Sequence, residues 1–150
     1  MSVPNTNTFS EQDVKDEIGS GSSLVELFTL SSNIGFDGIY KGDKDRLTNF
    51  RNYTHIYLNI NNTSLHFDSN GDPWSTRRIT VSSNLEWYII FDQSQIISAY
   101  VEQTSGSNNG YVDFYCGESN TSGDIHTSYV KFYRTSDNTL LAECYIVQHP

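Results

Sequence analysis

The chain has 150 residues and a formal net charge of −9, with eight Asp and Glu against five Lys and Arg in residues 1–60 and ten against four in residues 61–150. No basic stripe exists, and an acidic surface repels phosphate backbones, which argues against direct nucleic-acid binding. With 36% hydrophobic residues, ten Tyr, eight Phe and two Trp, the chain is too aromatic for a disordered tail and carries enough apolar material for a core of roughly 80–100 residues.

The first residues, Met1-Ser2-Val3-Pro4-Asn5-Thr6-Asn7, lack the basic and apolar regions of a secretory signal, and synthesis in a cytoplasm is expected. No run reaches the ~20 apolar residues of a membrane helix. Residues 1–9 read as an extended arm, since Pro4 biases Ser2-Val3 away from helix. Ser10 then offers an N-cap, with Glu11 and Asp13 in a first turn where the helix dipole favours acids. Val14 and Ile18 form the stripe of a short helix that Gly19-Ser20-Gly21-Ser22 stops. A second helix is predicted from Ser22 or Ser23, with Leu24, Leu27, Phe28 and Leu30 as its apolar positions and a break at Asn33-Ile34-Gly35. Phe36–Asp43 reads as a turn-rich loop, and Leu47 and Phe50 as a short helix or turn leading to the first strand.

From Ile56 the apolar period becomes two. Ile56/Leu58/Ile60 open it. Seven further sets follow: Leu65/Phe67, Ile79/Val81, Trp87/Ile89/Phe91, Ile97/Ala99/Val101, Val112/Phe114/Cys116, Val130/Phe132 and Ala142/Cys144/Ile146. Each places one face inward. The separators are turn chemistry, such as Ser69-Asn70-Gly71-Asp72 and Ser105-Gly106-Ser107-Asn108-Asn109-Gly110. With no helical pattern between the strands, the expected fold is mainly β: a seven-stranded antiparallel sandwich over residues 61–150, preceded by a docking segment, residues 1–60, of arm, two or three small helices and first strand. Cys116 and Cys144 fall on core-facing positions and read as buried thiols rather than a disulfide.

Two resemblances attach to these residues. Leu65-x-Phe67, Ile79-x-Val81-x-Ser83-Asn84, Glu86-Trp87-x-Ile89, Ser105-Gly106-x-Asn108, the strand Val112–Cys116 followed by Asn120, and the closing Ile146-x-Gln148 resemble the BACON domain, a small immunoglobulin-like sandwich of Bacteroidetes proteins. That resemblance implies a carbohydrate- or mucin-binding candidate or a spacer, without catalytic residues. The front, carried by Met1–Ser10, Gln12-Asp13-Val14, Phe36-Asp37, Gly42-x-Lys44-Asp45-Arg46-Leu47 and Asn49-Phe50-Arg51-Asn52-Tyr53, resembles the N-terminal attachment segment of structural proteins from Bacteroidetes phages, crAss-like phages included. It implies a virion component assembled in the host cytoplasm.

Sites of chemistry are hard to assign. His66-x-Asp68 shares a strand face but lacks a nucleophile and a pocket, and reads as structural. His55, His126 and His149 lack metal-ligand spacing. Asp68-x-Asn70-x-Asp72 has alternating oxygens but misplaced Gly71, and reads as a hairpin turn. No catalytic residue, metal or cofactor is expected. The docking candidates are Val3, Pro4, Phe9, Val14, Phe50, Arg51 and Tyr53. On this reading Val3, Pro4 and Phe9 have no domain of their own to bury them, which leaves a partner-docking arm or a flexible tail. Arg51, flanked by Phe50 and Tyr53, offers either a local cation–π contact or a docking group. Among the aromatics outside the core registers, Trp74, Tyr88, Tyr111 and Tyr129 are candidates for a protein interface or a glycan platform, the alternative being cross-strand packing of the outer sheet faces. The expected function is that of a non-enzymatic phage virion structural protein, in head, collar or tail, acting by docking to other virion subunits as a symmetric oligomer. The alternative is a carbohydrate- or mucin-binding adhesion module.

Overall fold

The structure, a computed structural model, describes residues 2–68, 75–92, 96 and 99–150. The chain divides into two compact units, Met1–Ile56 and Tyr57–Pro150.

In the first unit, α1 (Glu11–Ile18) begins where local chemistry directs it. Ser10 is extended and its Oγ accepts from the Asp13 N–H, while the Asp13 carboxylate accepts from the Ser10 N–H at 2.6 Å and its hydroxyl at 2.8 Å. This reciprocal box satisfies helix-terminal donors that otherwise lack partners, and the bonds from Ser10 hold the Asp13 carboxyl below its ordinary value. Gly19 ends the helix at φ 85°, a left-handed conformation costly for residues with a Cβ, and its N–H bonds Lys15 O at 2.7 Å. Helix α2 (Leu24–Leu30) starts at the Ser23 cap. Leu27 is buried, whereas Leu30 is 41% exposed, because six residues at 100° each turn it away from the Leu24–Leu27–Phe28 stripe. Short 3-10 turns follow at Asn33–Gly35 and Leu47–Phe50.

These elements enclose a core of Val3, Val14, Leu27, Phe36, Phe50 and Tyr53, with Phe9, Ile18, Leu24, Phe28 and Leu47 packed against it. Phe50 lies 4.5 Å from Phe28 between ring centroids, and Phe36 lies 4.7 Å from Tyr53. The expectation that Val3 and Phe9 have no domain to bury them is therefore corrected. Val3 is 1% exposed. Its N–H bonds Tyr53 O at 2.8 Å, and Ser2 forms an antiparallel bridge with Thr54, so the arm is a pairing partner of the segment that ends the unit.

The second unit is a β-sandwich of two sheets. Its strands are β1 (Leu58–Ile60), β2 (Ser64–Phe67), β3 (Ser75–Ser83), β4 (Glu86–Phe91), β5 (Ala99–Glu102), β6 (Ser105–Ser107), β7 (Gly110–Cys116), β8 (His126–Arg134) and β9 (Leu140–Gln148). One sheet has the order β1-β3-β7-β5 and the other β2-β9-β8-β4-β6. Leu65, Phe67, Ile79, Val81, Trp87, Val112, Phe114, Val130, Phe132, Cys144 and Ile146 meet between them, and their positions follow the period-two alternation of the sequence.

Three expectations change. Strand β1 pairs with β3, Leu58 opposite Ser83, so it belongs to the sandwich, and the unit boundary falls at 56 rather than 60. The sandwich is not wholly antiparallel, since β2 runs parallel to β9 with Leu65 opposite Ile146. And Ser105–Ser107, read as turn, is a short strand on β4. The cause is Trp87. Its buried ring lies against Gly106, where a Cβ would stand 2.6 Å from the ring, and its Nε1 donates to Asn108 O at 2.9 Å. Only a glycine strand passes that closely. The strand position Ile97 and the turn Ser69–Asp72, with Asn70 and Asp72 of the Asp68-x-Asn70-x-Asp72 pattern, lie outside the described residues.

Cys116 and Cys144 are separate buried thiols. Burial pushes the Cys144 thiol up to about 12. Gln148, 1% exposed, donates to Cys116 Sγ at 2.8 Å and to Glu118 O at 3.0 Å, and Asn120 donates to Asp124 O and Gln148 O. Its inward place on β9 thus anchors the loop after β7, which has few strand bonds of its own.

Candidate functional site

Alternation on the five-stranded sheet turns Tyr88 and Ile90 of β4, Lys131 and Tyr133 of β8, and Glu143 and Tyr145 of β9 outward, with Tyr129 beside them. Tyr88 stacks on Tyr133 (5.5 Å, 20°) and Tyr129 packs on Tyr145 (5.0 Å). Between these pairs Lys131 faces Glu143 at 3.6 Å. A shallow groove of about 400 Å³ runs here, lined by Ile90, Asp92, Thr127, Ser128, Tyr129, Lys131 and Tyr133. Ile90 and Tyr129 are about half exposed.

The four-stranded sheet carries a different outer face. Arg78 holds Asp113 with two bonds, 2.7 and 2.6 Å, and lies 3.9 Å over the Tyr111 ring. The Arg78 guanidinium holds the Asp113 carboxyl below its ordinary value, despite burial that acts the other way. Tyr100 packs on Tyr115, and both hydroxyls donate to Glu102. Tyr88, Tyr100, Tyr111, Tyr115, Tyr129, Tyr133 and Tyr145 are thus all engaged across strands. Tyr88, Tyr111 and Tyr129 are members of these ladders, while Trp74 lies outside the described residues.

The docking candidates separate into two groups. Val3, Val14, Phe50 and Tyr53 are buried and face one another, so they hold the unit together and offer no surface. Pro4 is exposed and Phe9 partly buried. Arg51 stacks on Tyr40 at 4.4 Å, not on its neighbours Phe50 and Tyr53, and donates to Asn5 Oδ1 at 2.8 Å and Asn7 Oδ1 at 2.7 Å. It fastens the arm to the body of the unit. The surface of this unit instead carries side chains the sequence reading passed over: Val25, 77% exposed, and Ile39, 82% exposed. Val25 lies 100° from Leu24 on a helix whose other side is buried, a signal that was available. Ile39 sits in a loop without periodicity, where sequence gives no signal.

Buried Tyr53 and half-buried His55 form a polar pair at the edge of the unit's core. The Tyr53 hydroxyl accepts from the Ser32 N–H at 2.8 Å and pairs with His55 Nδ1 at 2.9 Å. Burial pushes the Tyr53 hydroxyl up to about 12. Burial also lowers the His55 imidazole below its ordinary 6.5, partly opposed by Glu17. The folded unit therefore prefers neutral His55, and the unfolded chain takes up the proton first. This contribution is complete above pH 6.5 and is lost as pH falls below it. The melting temperature of residues 2–56 is expected to fall between pH 7 and 5, a window above the carboxylates, and a His55→Gln variant to show a flatter profile by circular dichroism.

His66 and His149 come together although 83 residues separate them. Their rings lie at 14° with Nδ1 of His66 3.0 Å from Nε2 of His149. Sequence spacing gave no sign of this pair, because the parallel β2–β9 register creates it. Among the described residues, no three His, Cys, Asp or Glu side chains group closely enough to hold a metal ion. No helix among them is long and apolar enough to cross a membrane.

No protein-family model and no curated protein matches the sequence. Among solved structures, the chain is similar to part of a Bacteroides ovatus GH5 xyloglucanase in complex with a XXXG heptasaccharide, at 21% identity and a TM-score of 0.49 over 61% of this chain and 18% of that one. It thus spans less than a fifth of that enzyme. It is also similar to WR4, a C. elegans MSP family member, at 8% identity and a TM-score of 0.43 over 63% of this chain and 98% of that one.

Proposed function

We propose that the protein is a non-enzymatic structural component of a phage virion, docking to neighbouring virion subunits through residues 2–56 and presenting the sandwich as a decoration, ring element or fibre anchor. The supporting observation is that the small N-terminal unit has a complete core of its own and still exposes Val25 by 77% and Ile39 by 82%. Burial of one such aliphatic side chain against a partner stabilises an interface by about 1.5–3 kcal/mol. The residues of the front that resemble phage attachment segments now have physical roles consistent with a preformed docking body: Asp13 caps α1, Asn49 accepts from the Asp45 and Arg46 N–H groups, and Arg51 fastens the arm. Assembly takes place in the host cytoplasm, and repetition around a particle axis makes many copies symmetric.

The test is a Val25→Asp/Ile39→Asp double variant supplied during particle production. Neither side chain belongs to the core, so the unit is expected to keep its circular dichroism and melting temperature. Incorporation, counted by mass spectrometry of purified particles, is expected to drop at least tenfold. Normal incorporation would reject docking through this surface, and absence of the wild-type chain from particles would reject the virion reading itself.

One observation favours a second reading, attachment to a polysaccharide: the outer groove sets the half-exposed Tyr129 ring beside Asp92 and Lys131, an apolar plate with polar groups at its edge, as sugar faces require. Binding of the whole protein on a glycan array, lost in Tyr129→Ala, would favour it over the structural reading.

A further inference from the structure

We propose that His66 and His149 form a two-imidazole chelate for a divalent transition-metal ion, with copper(II) bound most tightly. Three observations carry this. First, the fold places both donors. His66 lies on β2 opposite Val147, and His149 continues β9 by one residue, its N–H bonded to Phe67 O at 2.8 Å. In a parallel pair, alternation turns both side chains to the same outer face.

Second, the donor atoms are already at chelating distance. His66 Nδ1 and His149 Nε2 are 3.0 Å apart. With metal–nitrogen bonds of about 2.0–2.1 Å, that span subtends roughly 95° at an ion, whereas a tetrahedral zinc site holds its nitrogens about 3.4 Å apart. A right-angled pair of nitrogens is what square or tetragonal copper(II) and nickel(II) use, and copper(II) leads the affinity order. Third, the two rings meet edge to edge. They are nearly coplanar, at 14° with centroids 5.3 Å apart, so their hydrogen bond runs along the ring planes rather than between ring faces.

The protons balance. In the neutral pair one bridging nitrogen carries a hydrogen, which moves to the far nitrogen of its own ring: Nε2 if His66 was the donor, Nδ1 if His149 was. Both bridging lone pairs are then available, and a neutral pair binds the ion without net proton release. Among the described residues no third side chain is grouped with the pair, so water would fill the remaining positions and binding would be reversible. The ion would tie β2 to the end of β9 and so stabilise the sandwich by linkage.

The experiment is titration of the untagged full-length chain with copper(II) in a non-coordinating buffer, read by calorimetry and by electron paramagnetic resonance. One ion per chain is expected, with hyperfine coupling to two imidazole nitrogens, and with a higher melting temperature for the sandwich. His66→Ala and His149→Ala are each expected to weaken binding at least tenfold and to abolish the thermal shift, while His126→Ala leaves both unchanged. Zinc(II) is expected to bind more weakly than copper(II). No measurable binding by the wild-type chain, a spectrum with one nitrogen or none, or wild-type affinity in either alanine variant would overturn the proposal.

Discussion

Trp87→Ala is expected to destabilise the sandwich by about 3–5 kcal/mol, the largest effect of any single truncation in this unit. The side chain is fully buried, packs 5.8 Å from Phe132 and fills the space above the Gly106 and Gly110 backbones. Those glycines cannot close the void, because strand pairing of Ser105 with Tyr88 and of Gly110 with Val81 fixes their course. The substitution also leaves Asn108 O without its indole donor, which adds about 1 kcal/mol. For a unit of this size the melting temperature is expected to drop by more than 10 °C. Trp87→Phe keeps part of the volume but loses the hydrogen bond, and belongs between the two. Urea denaturation followed by far-ultraviolet circular dichroism checks the series. A loss below 1 kcal/mol for the alanine variant would mean that the ring does not close the core.

Deletion of residues 2–9 is expected to unfold the N-terminal unit altogether. If these residues were a loose arm, their removal would cost docking alone. They are instead part of the unit. The deletion removes the fully buried Val3, the Ser2–Thr54 bridge, the Val3–Tyr53 bond, the packing of Phe9, and both asparagine acceptors of Arg51. Val3 and Phe9 alone contribute about 3–4 kcal/mol by burial, a large share of what a 50–60-residue core supplies. The sandwich core contains none of these residues and is expected to persist. Limited proteolysis would show this directly: rapid cleavage within residues 10–56 beside a resistant fragment from about residue 57. A protected N-terminal segment in the deleted protein would refute the expectation. One practical point follows. Loss of incorporation on deleting the arm would not isolate docking, whereas changes at Val25 and Ile39 would.

How far the sequence could be read depends on the range of the interactions involved. The helix starts were legible because caps are local: Ser10 and Asp13 lie three residues apart. The strands and their inward faces were legible because alternation is local too, and it placed the tyrosines correctly on the outside. What those tyrosines do there was not legible. Tyr88 meets Tyr133 and Tyr129 meets Tyr145 only through strand pairing, and sequence does not state which strand neighbours which. For the same reason the parallel pairing of β2 with β9, and with it the His66–His149 contact, could not be foreseen. Val3 was misjudged on similar grounds. An apolar residue in a polar stretch looks unpartnered until a segment fifty residues later turns back beside it. Strand β6 was hidden by its composition, since Ser-Gly-Ser signals a turn and becomes a strand only because a tryptophan ring needs a bare backbone beneath it.

The place of β9 in its sheet has a kinetic consequence. β9 lies between β2 and β8 and is, among the described strands, the sole partner of β2. During synthesis, β2 emerges more than seventy residues before the strand that completes it. Until Leu140–Gln148 leave the ribosome, β2 has no ladder, one edge of β8 is open, and Leu65 and Phe67 have no opposing Ile146. A long loop must close before that contact returns any free energy, so the sandwich belongs among slow-folding, high-contact-order topologies. The N-terminal unit closes within 56 residues and completes its core while the strands are still being made. A nascent chain would therefore carry a finished N-terminal unit ahead of an unfinished sheet, with the open edge of β8 as its point of greatest vulnerability to aggregation.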